Sequence, residues 1–516
     1  MPQFFTRTDY VLCLPMILLS LFGLGVLIID LMLPLQWKRW NAVTALVGLA
    51  FATAATIRLQ IDSFADGTRV LGSFGFLSRQ GNEITGLMRI DAYAIYFFYL
   101  FLLAAAVSIV LSVRYLEIER ENHGEFYALV LFSLVGMMCM ASGYDLVLLF
   151  IGLELMALST YVLVGFLRRD RRSNEAALKY LLLGAFSSGI FAYGLSLFYG
   201  LSGSTNIRVI GEALERHLAA NPRDPIAILA MLTTSAGLFF KIAAVPFHQW
   251  APDAYEGAPT SVTGFMSVAV KAAAWAMLLR IFLYMLYPMR SLYVPLLVFV
   301  SIATMTGANL AALTQTNLKR LLAYSSIAHV GYMLLGLIAS DGINNTTGIQ
   351  GILVYLMVYT FMNLGAFAVI TSLRRRDIIG DQIEDIAGLI SKAPTEAFLM
   401  LAFLLSLAGI PPLAGFWGKY FIFLSLIQTQ HYVLASVAVL YAVLGLYYYM
   451  KIASAMFMRP AADTEPVTMS MGLRLALAVT GIATLGIGIF PEMFIRAAGW
   501  SLGIAAANTP VIGLLR

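Results

Sequence analysis

Gly237-Leu-Phe-Phe-Lys241-Ile-Ala-Ala-Val-Pro246 is an apolar run in which a lysine stands about one helical turn before a proline. Proline removes a backbone hydrogen bond and kinks or breaks a helix. The run Ala408-Gly-Ile-Pro-Pro-Leu-Ala-Gly-Phe-Trp-Gly-Lys419 repeats the pattern with a double proline and three glycines. In a bilayer, such breaks persist where the freed carbonyls line a polar cavity or contact neighbouring helices. Both runs therefore predict interrupted transmembrane helices.

The composition around these runs is that of a membrane protein. Of the 516 residues, 60% are hydrophobic and 12% are charged, whereas a soluble domain is about 45 to 50% apolar and about 25% charged. Apolar windows of about 20 residues, which is the length that crosses a bilayer core of about 30 Å, follow one another with short polar breaks. The sequence predicts an all-α integral membrane protein of fourteen transmembrane helices with almost no soluble domain.

The predicted helices divide the chain into four parts. Residues 1–125 hold helices one to three, residues 126–284 and 292–457 hold five helices each, and residues 458–516 hold the fourteenth helix and a tail. Interrupted helices at matching places in two halves are typical of inverted-repeat transporters. The predicted spans are 10–30, 41–60, 92–113, 126–142, 144–167, 177–201, 226–247, 257–284, 292–313, 319–339, 348–373, 395–426, 433–457 and 470–490.

Positive charge predicts the orientation, because Lys and Arg are enriched in cytoplasmic loops. The basic residues of alternate connections are Lys38, Arg39, Arg168, Arg169, Arg171, Arg172, Arg374, Arg375, Arg376, Lys451 and Arg459. With these connections in the cytoplasm, an even number of spans puts both termini in the periplasm. The connections 61–91 and 202–225 are then outside, as hairpins or short surface helices. Segment 374–394 is predicted to lie on the cytoplasmic surface, as a solvated connector or as a contact for a soluble partner.

Four ionisable residues lie inside apolar spans, namely Glu154, Lys241, Lys271 and Lys419. A charged side chain at the centre of a membrane helix costs roughly 2.5 to 3.5 kcal/mol on insertion scales, so it needs a partner, a proton or a water-filled cavity. A structural ion pair accounts for Glu154 with one lysine, either Lys241 or Lys179, and leaves two lysines unexplained. Because a lysine whose carboxylate moves away becomes a proton donor, the pattern predicts ion movement through the bilayer.

Three other residues are candidates for the same path. His329 lies mid-span beside hydroxyl groups, where a proton relay and a satisfied core histidine are equally good interpretations. Lys179 opens the sixth span, as part of the path or as a snorkelling anchor at the interface. His248, like Lys319, lies at a predicted cytoplasmic end, where interfacial placement is at least as well supported as a role in the path.

Several other functions have no support in the sequence. Cys13 and Cys139 both lie in apolar runs, which excludes a disulfide framework or a CxxC site. There is no Walker loop, HExxH motif or GxGxxG motif for ATP, a catalytic metal or a dinucleotide. The net charge of +5 is interpreted as topology, so neither nucleic acid nor a soluble substrate is predicted. Energy is expected from an ion gradient or from a partner.

The stretch Lys241-Ile-Ala-Ala-Val-Pro-Phe-His-Gln-Trp-Ala-Pro-Asp-Ala-Tyr-Glu-Gly-Ala-Pro-Thr-Ser-Val, followed by Lys271, resembles the antiporter-like membrane subunits of respiratory complex I and the related Mrp-type sodium/proton antiporters. The resemblance covers nearly the whole chain. It extends to Leu153-Glu154-Leu-Met-Ala-Leu-Ser, to Glu175-Ala-Ala-Leu-Lys179-Tyr and to the run that ends at Lys419.

This resemblance implies two inverted five-helix repeats with broken helices seven and twelve. It implies Glu154 paired with Lys241 as a modulated site, Lys271 as a central relay, Lys419 as the terminal site toward a periplasmic exit, and Lys179 near the pair. It also implies a proton-pumping subunit of a bacterial inner-membrane NADH:quinone oxidoreductase with no cofactor of its own. NADH, FMN, iron–sulfur clusters and quinone would be held by partners, and the contacts would be neighbouring antiporter-like and small membrane-arm subunits and lipid.

Two alternatives remain open at this point. A free-standing or Mrp-complex cation/proton antiporter would use the same charges without electron transfer. A structural assembly subunit would use them only to pack helices, and substitutions such as Glu154→Gln would then lower assembly rather than turnover.

Overall fold

The computed structural model describes residues 7–65, 70–74, 78–80, 83–340, 345–374, 380–461 and 469–503. The basic residues Arg375 and Arg376, part of the surface segment predicted at 374–394 and residues 504–516 of the predicted tail lie outside these ranges. The helices are α1 (Arg7–Met32), α2 (Trp40–Ala65), α3 (Ala92–Glu119), α4 (Gly124–Ser142), α5 (Leu146–Val164), α6 (Arg171–Ser202), α7 (Ile207–Ala220), α8 (Pro225–Ile242), α9 (Trp250–Gly257), α10 (Thr260–Phe265), α11 (Lys271–Arg280), α12 (Arg290–Leu313), α13 (Leu318–Ile338), α14 (Thr347–Leu373), α15 (Leu389–Lys392), α16 (Pro394–Ala408), α17 (Ala414–Gln428), α18 (Tyr432–Met458), α19 (Met471–Ile489) and α20 (Glu492–Leu502).

The membrane fold predicted from the sequence is confirmed. Within the described ranges, thirteen helical segments are long and apolar enough to cross a membrane, and the broken pair α16 and α17 lies where the twelfth span was predicted. The sixth helix begins at Arg171, before the predicted start at 177, because the Asp170 side chain accepts a hydrogen bond from the Arg172 amide and caps it there. The short helix α20 was not predicted.

Both predicted helix breaks are present. Helix α8 ends at Ile242 because Ala243 takes a left-handed backbone conformation with φ of 61°, and the chain resumes as α9 after seven residues of turn, 243–249. Helix α16 ends at Gly409, whose φ of 89° suits a residue without a Cβ. Helices α16 and α17 touch so closely that a Cβ on Gly415 would overlap the Ser406 carbonyl.

The eighth span is also irregular. It consists of α10, a π-helical turn at Met266–Val270, α11, and a second π-helical turn at Ile281–Met285. Single π turns inside helices are uncommon and are found mostly at functional sites. Together with α13 and α14 this span forms the buried centre of the bundle, whereas α6 and α18 expose much of their length.

Two connections predicted as hairpins or surface helices take those forms. In 61–91, β1 (Val70–Phe74) pairs antiparallel with β4 (Met88–Asp91), and β2 (Ser78–Gln80) with β3 (Glu83–Thr85). In 202–225, α7 buries Ile207, Ile210 and Leu214 and exposes its charged side chains. Both connections lie at one face of the membrane. The basic connection 168–172 lies at the opposite face, which is called the basic face.

Candidate functional site

Lys241 lies in the last turn of α8, beside the helix break, and is 2% exposed. Its Nζ donates a hydrogen bond of 3.3 Å to the Tyr161 hydroxyl. The rings of Tyr161 and Phe240 lie 5.7 and 5.8 Å from the same nitrogen. Aromatic faces attract a cation through the ring quadrupole. A hydroxyl and two rings therefore surround the ammonium group.

Glu154 is half-buried on α5 and accepts a hydrogen bond of 2.5 Å from the Ser188 hydroxyl of α6. Its helix neighbours Ile151 and Leu158 are exposed, so the carboxylate borders the outer surface of the bundle. Among the described residues it forms no ion pair within 4.0 Å with Lys241 or Lys179. Glu154 and Lys241 are therefore not in direct contact in this arrangement, and their pairing as a modulated site stays a prediction.

Lys179 lies in a charged network at the basic face rather than beside Glu154. Its Nζ is 2.8 Å from Glu175 and 3.0 Å from Asp253. Arg320 completes the network, at 2.6 Å from Asp253 and 3.0 Å from Glu256. Burial raises the pKa of Asp253, but hydrogen bonds from Arg320 and Lys179 outweigh it, and the pKa lies below its ordinary value. A cavity of about 210 Å³ lies among these groups.

Lys271 is the first residue of α11, directly after a π-helical turn, and is 2% exposed. Its Nζ donates a hydrogen bond of 2.5 Å to the Ser326 hydroxyl of α13. The Tyr255 ring lies 5.9 Å away. The sequence predicts that this buried lysine needs a polar partner, and in the structure that partner is a serine. No carboxylate of the described residues lies within ion-pair distance.

His329 joins two tyrosines in the middle of the bundle. Its Nε2 is 3.1 Å from the Tyr449 hydroxyl, and its Nδ1 is hydrogen-bonded to the Tyr355 hydroxyl. The Tyr449 hydroxyl also lies 2.5 Å from the hydroxyl of Ser325, the residue next to Ser326. Which ring nitrogen carries the proton is a matter of tautomer, so either direction of donation is open to this histidine.

Lys419 lies on α17 and is held by the broken end of α16. Its Nζ donates hydrogen bonds to the carbonyls of Leu407 (3.1 Å) and Ala408 (2.6 Å). The last carbonyls of a helix have no partner within the helix and carry the negative end of its dipole. The Tyr332 ring lies 5.2 Å from the same ammonium group. The predicted break in the twelfth span thus supplies the ligands of a buried cation.

Helix α13 connects these sites. Ser325 and Ser326, His329 and Tyr332 recur at helical spacing, and their side chains reach α18, α11, α14 and α17. The axis therefore runs from Lys271 through α13 toward Lys419, with Lys241 and Glu154 as a separate group around α5.

His248 and Lys319 lie toward the basic face. His248 is half-buried in the turn between α8 and α9, and burial lowers its pKa below the ordinary value, although a hydrogen bond to Pro246 opposes this shift. Lys319 is buried and donates a hydrogen bond of 2.9 Å to the Ala258 carbonyl. Neither side chain has a described contact with the lysines of the axis.

Sequence reasoning missed Tyr161, Tyr355 and Tyr449, which supply hydroxyls to Lys241 and His329. Tyrosine is common in apolar runs of this chain, which has 25 of them, so the residue type gave no signal. It also missed Arg280, nine residues after Lys271 and buried to the same 2%. The rule that a charge inside a span needs an explanation would have found it.

Among the described residues, no group of three or more His, Cys, Asp or Glu side chains could hold a metal ion. The side chains of Lys241, Lys271, Lys419 and His329 are instead each bound by hydroxyls or carbonyls. A bundle of apolar helices with two broken spans and such an axis defines an antiporter-like membrane protein.

Comparison with known proteins gives the family. The model of the transmembrane family "NADH:quinone oxidoreductase/Mrp antiporter" matches residues 143–445, and this chain belongs to that family. The sequence resemblance is thereby confirmed.

The similar proteins agree with this assignment. A curated relative from Koribacter versatilis, called NADH-quinone oxidoreductase subunit N 1, is 66% identical over 517 residues, covering 100% of this chain and 99% of the relative. Subunit N 2 of Solibacter usitatus is 54% identical and covers 97% of this chain and 98% of its own. A chain of respiratory complex I from Thermus thermophilus superposes with a TM-score of 0.76 at 32% identity, covering 94% of this chain and 99% of that chain.

Proteins of much lower sequence identity share this fold. A chain of the Mrp complex from Dietzia has a TM-score of 0.81 at 20% identity, with 97% of both chains covered. At that identity the likeness concerns the fold alone.

Proposed function

We propose that this chain is a subunit of the N type in the membrane arm of a bacterial NADH:quinone oxidoreductase, and that it translocates protons along its buried lysines. Names of close relatives support the type of subunit. The observation that carries the proton path is the arrangement of Lys271, His329 and Lys419 around a single helix, α13. Each of the three side chains contacts a hydroxyl group or an aromatic ring of α13 or of a neighbouring helix.

The proposed roles follow the contacts, and the steps from Ser326 to Ser325 and from His329 to Lys419 are part of the proposal. Lys271 passes a proton to Ser326, and the neighbouring Ser325 leads to Tyr449 and His329. Hydroxyls and imidazole both accept a proton at one position and donate one at another, which suits them for relay. Lys419 receives the proton as the terminal site. Because the Tyr355 hydroxyl bonds the second ring nitrogen, His329 can accept a proton at one nitrogen and donate one at the other.

A second group is proposed for uptake and switching. The Lys241 ammonium group holds the proton and donates a hydrogen bond to the Tyr161 hydroxyl, and Glu154, on α5 at the edge of the bundle, modulates the proton affinity of this lysine. Because Glu154 borders an exposed apolar surface, a neighbouring membrane-arm subunit packed there is placed to sense or change its charge. Lys179 with Asp253 and Arg320, and His248 nearby, are proposed as groups of the uptake face.

The energetics allow such a switch to pump. Moving one charge against about 150 mV costs roughly 3.5 kcal/mol, at about 2.3 kcal/mol per 100 mV. A change of about three units in the proton affinity of a lysine supplies roughly 4 kcal/mol, at 1.36 kcal/mol per unit. Quinone reduction in partner subunits is the proposed source of that change.

The setting of the subunit belongs to the same proposal. We place it in the inner membrane, with the basic face in the cytoplasm and both termini in the periplasm, on the distribution of basic residues. We assign 126–284 and 292–457 to inverted repeats, because each contains one broken span in a corresponding place. Partner subunits would hold NADH, FMN, iron–sulfur clusters and quinone.

The test is NADH-driven quinone reduction and proton uptake in vesicles that carry Lys241→Ala, with assembly measured on a native gel. Lys392→Ala on the short helix α15 is the matched control. Loss of both activities at normal assembly supports the proposal. Normal pumping by the variant would refute it. Loss of assembly alone would favour the structural alternative, and ion movement driven by sodium rather than NADH oxidation would favour the Mrp type.

A further inference from the structure

Arg280, the last residue of α11, lies in a buried ion pair outside the proton path described above. Its Nη1 and Nη2 lie 3.1 and 2.7 Å from the two carboxylate oxygens of Asp91. Its Nε donates a hydrogen bond of 2.6 Å to the Ala141 carbonyl. The Tyr93 ring lies 4.8 Å from the guanidinium carbon. This is the bidentate geometry that gives an arginine–carboxylate pair its directional specificity.

The pair joins three helices at the face opposite the basic face. Asp91 caps the start of α3, where it also accepts a hydrogen bond of 2.9 Å from the Ala94 amide. Ala141 lies near the end of α4, and Arg280 ends α11. A second bond runs from the Tyr93 hydroxyl of α3 to the Ala276 carbonyl of α11, at 2.9 Å. Helix α11 is thus attached to α3 at two points along its length.

Stability alone is a poor reason for this arrangement. A buried ion pair is often no more stable than apolar side chains of similar volume, because desolvation cancels most of the attraction. What the pair does supply is a fixed distance and a fixed rotation between α11 and α3. That constraint has a specific consequence here, because Lys271 is the first residue of the same helix.

Helix α11 is separated from its neighbours by a π-helical turn at each end, Met266–Val270 and Ile281–Met285. Lys271 and Arg280 are nine residues apart on it, which is about 13.5 Å at 1.5 Å per residue. Between the π turns the helix is a short rigid rod. A constraint on its far end therefore constrains the rotation of its near end.

We propose that the Arg280–Asp91 pair is a positioning clamp that sets the rotation of α11 and thereby holds the ammonium group of Lys271 against the Ser326 hydroxyl. The inference rests on the role proposed above for Lys271. Arg280 acts through Lys271 and takes no proton itself, since a guanidinium stays charged in proteins.

The test uses the complete complex with Asp91→Asn. Asparagine is as good a helix cap as aspartate, so this change keeps the cap on α3 and removes the charge that pairs with Arg280 and, at 3.6 Å, with Arg89. Glu119→Gln is the matched control, because it breaks the 2.6 Å pair with Arg374 at the other end of the same helix. The rates of NADH-driven proton uptake and of quinone reduction are measured in vesicles, and both are normalised to assembled complex.

We expect D91N to reduce proton uptake roughly tenfold, since misplacing a reacting group by about 1 Å costs up to about 100-fold. The control E119Q should retain the wild-type rates. In a double-mutant cycle, D91N should have no further effect in a Lys271→Ala background, because two changes that act through one group are not additive. Arg280→Lys, which keeps the charge but loses the fork, should show an intermediate defect.

Three outcomes would overturn the clamp. These are wild-type rates in D91N, an additive loss in the double variant, and failure of both D91N and R280K to assemble, which would make the pair purely structural. Normal rates in Lys271→Ala would instead refute the proposed proton path. The two failures are therefore distinguishable in one series of vesicles.

Discussion

Tyr161→Phe removes one oxygen atom and tests whether the proton on Lys241 depends on it. The Tyr161 hydroxyl accepts the 3.3 Å hydrogen bond from the Lys241 ammonium group. Hydrogen bonds to charged groups contribute about 1.5 to 3 kcal/mol. Because this bond is long, the lower figure applies, and at about 1.4 kcal/mol per factor of ten the proton affinity of Lys241 falls about tenfold.

The assay is NADH-driven proton uptake and quinone reduction in vesicles at several pH values, with assembly measured on a native gel. We expect both rates to fall in Tyr161→Phe at normal assembly, and the defect to shrink at lower pH, where mass action refills Lys241. Tyr127→Phe is the control, since it removes a hydroxyl bound at 3.2 Å to Asn122, away from the lysines. Equal rates for the Tyr161 variant and wild type at every pH would refute the reasoning.

Three further predictions concern the other sites. Ser326→Ala removes the hydrogen-bond partner of Lys271 and should lower the rates of proton uptake and quinone reduction without lowering assembly on a native gel. Asp253→Asn should lower the thermal midpoint of the purified complex at pH 7; because the folded-state pKa of Asp253 is depressed, the difference from wild type should persist above about pH 4 and vanish as the pH falls further. Gly415→Ala should reduce pumping or assembly, because a Cβ there overlaps a carbonyl of α16; Gly189→Ala, which meets open space, should match wild type in both assays.

The sequence contained enough to predict the fold. Prolines at 246 and 411 marked helix breaks that the structure places at Ile242 and Ala408, because the loss of a backbone donor is a local property of the chain. The buried lysines were equally visible, since any charge inside an apolar span needs an explanation.

The partners of those lysines could not be predicted in the same way. Lys271 is bound by Ser326, 55 residues further along the chain, and Lys419 by two carbonyls 11 and 12 residues before it. The apolar pattern of a single span specifies neither contact. Lys179 shows the same limit, because its place at the start of the sixth span suits either a snorkelling anchor or a group of the proton path. Only the packing of α9 against α6 brings Asp253 within 3.0 Å of it, and its role in proton uptake stays a prediction.

The broken end of α16 has a consequence for the chemistry at Lys419. Its counter-charge is made of peptide oxygens, which never take up a proton at physiological pH, whereas a carboxylate would compete with the amine for the same proton. The site therefore holds one exchangeable proton, and when the lysine gives it up, a neutral amine remains beside neutral carbonyls with no stranded charge. A carboxylate at this position would face the negative end of the helix dipole. The broken end of α16 therefore stabilises a protonated lysine here and would destabilise a carboxylate.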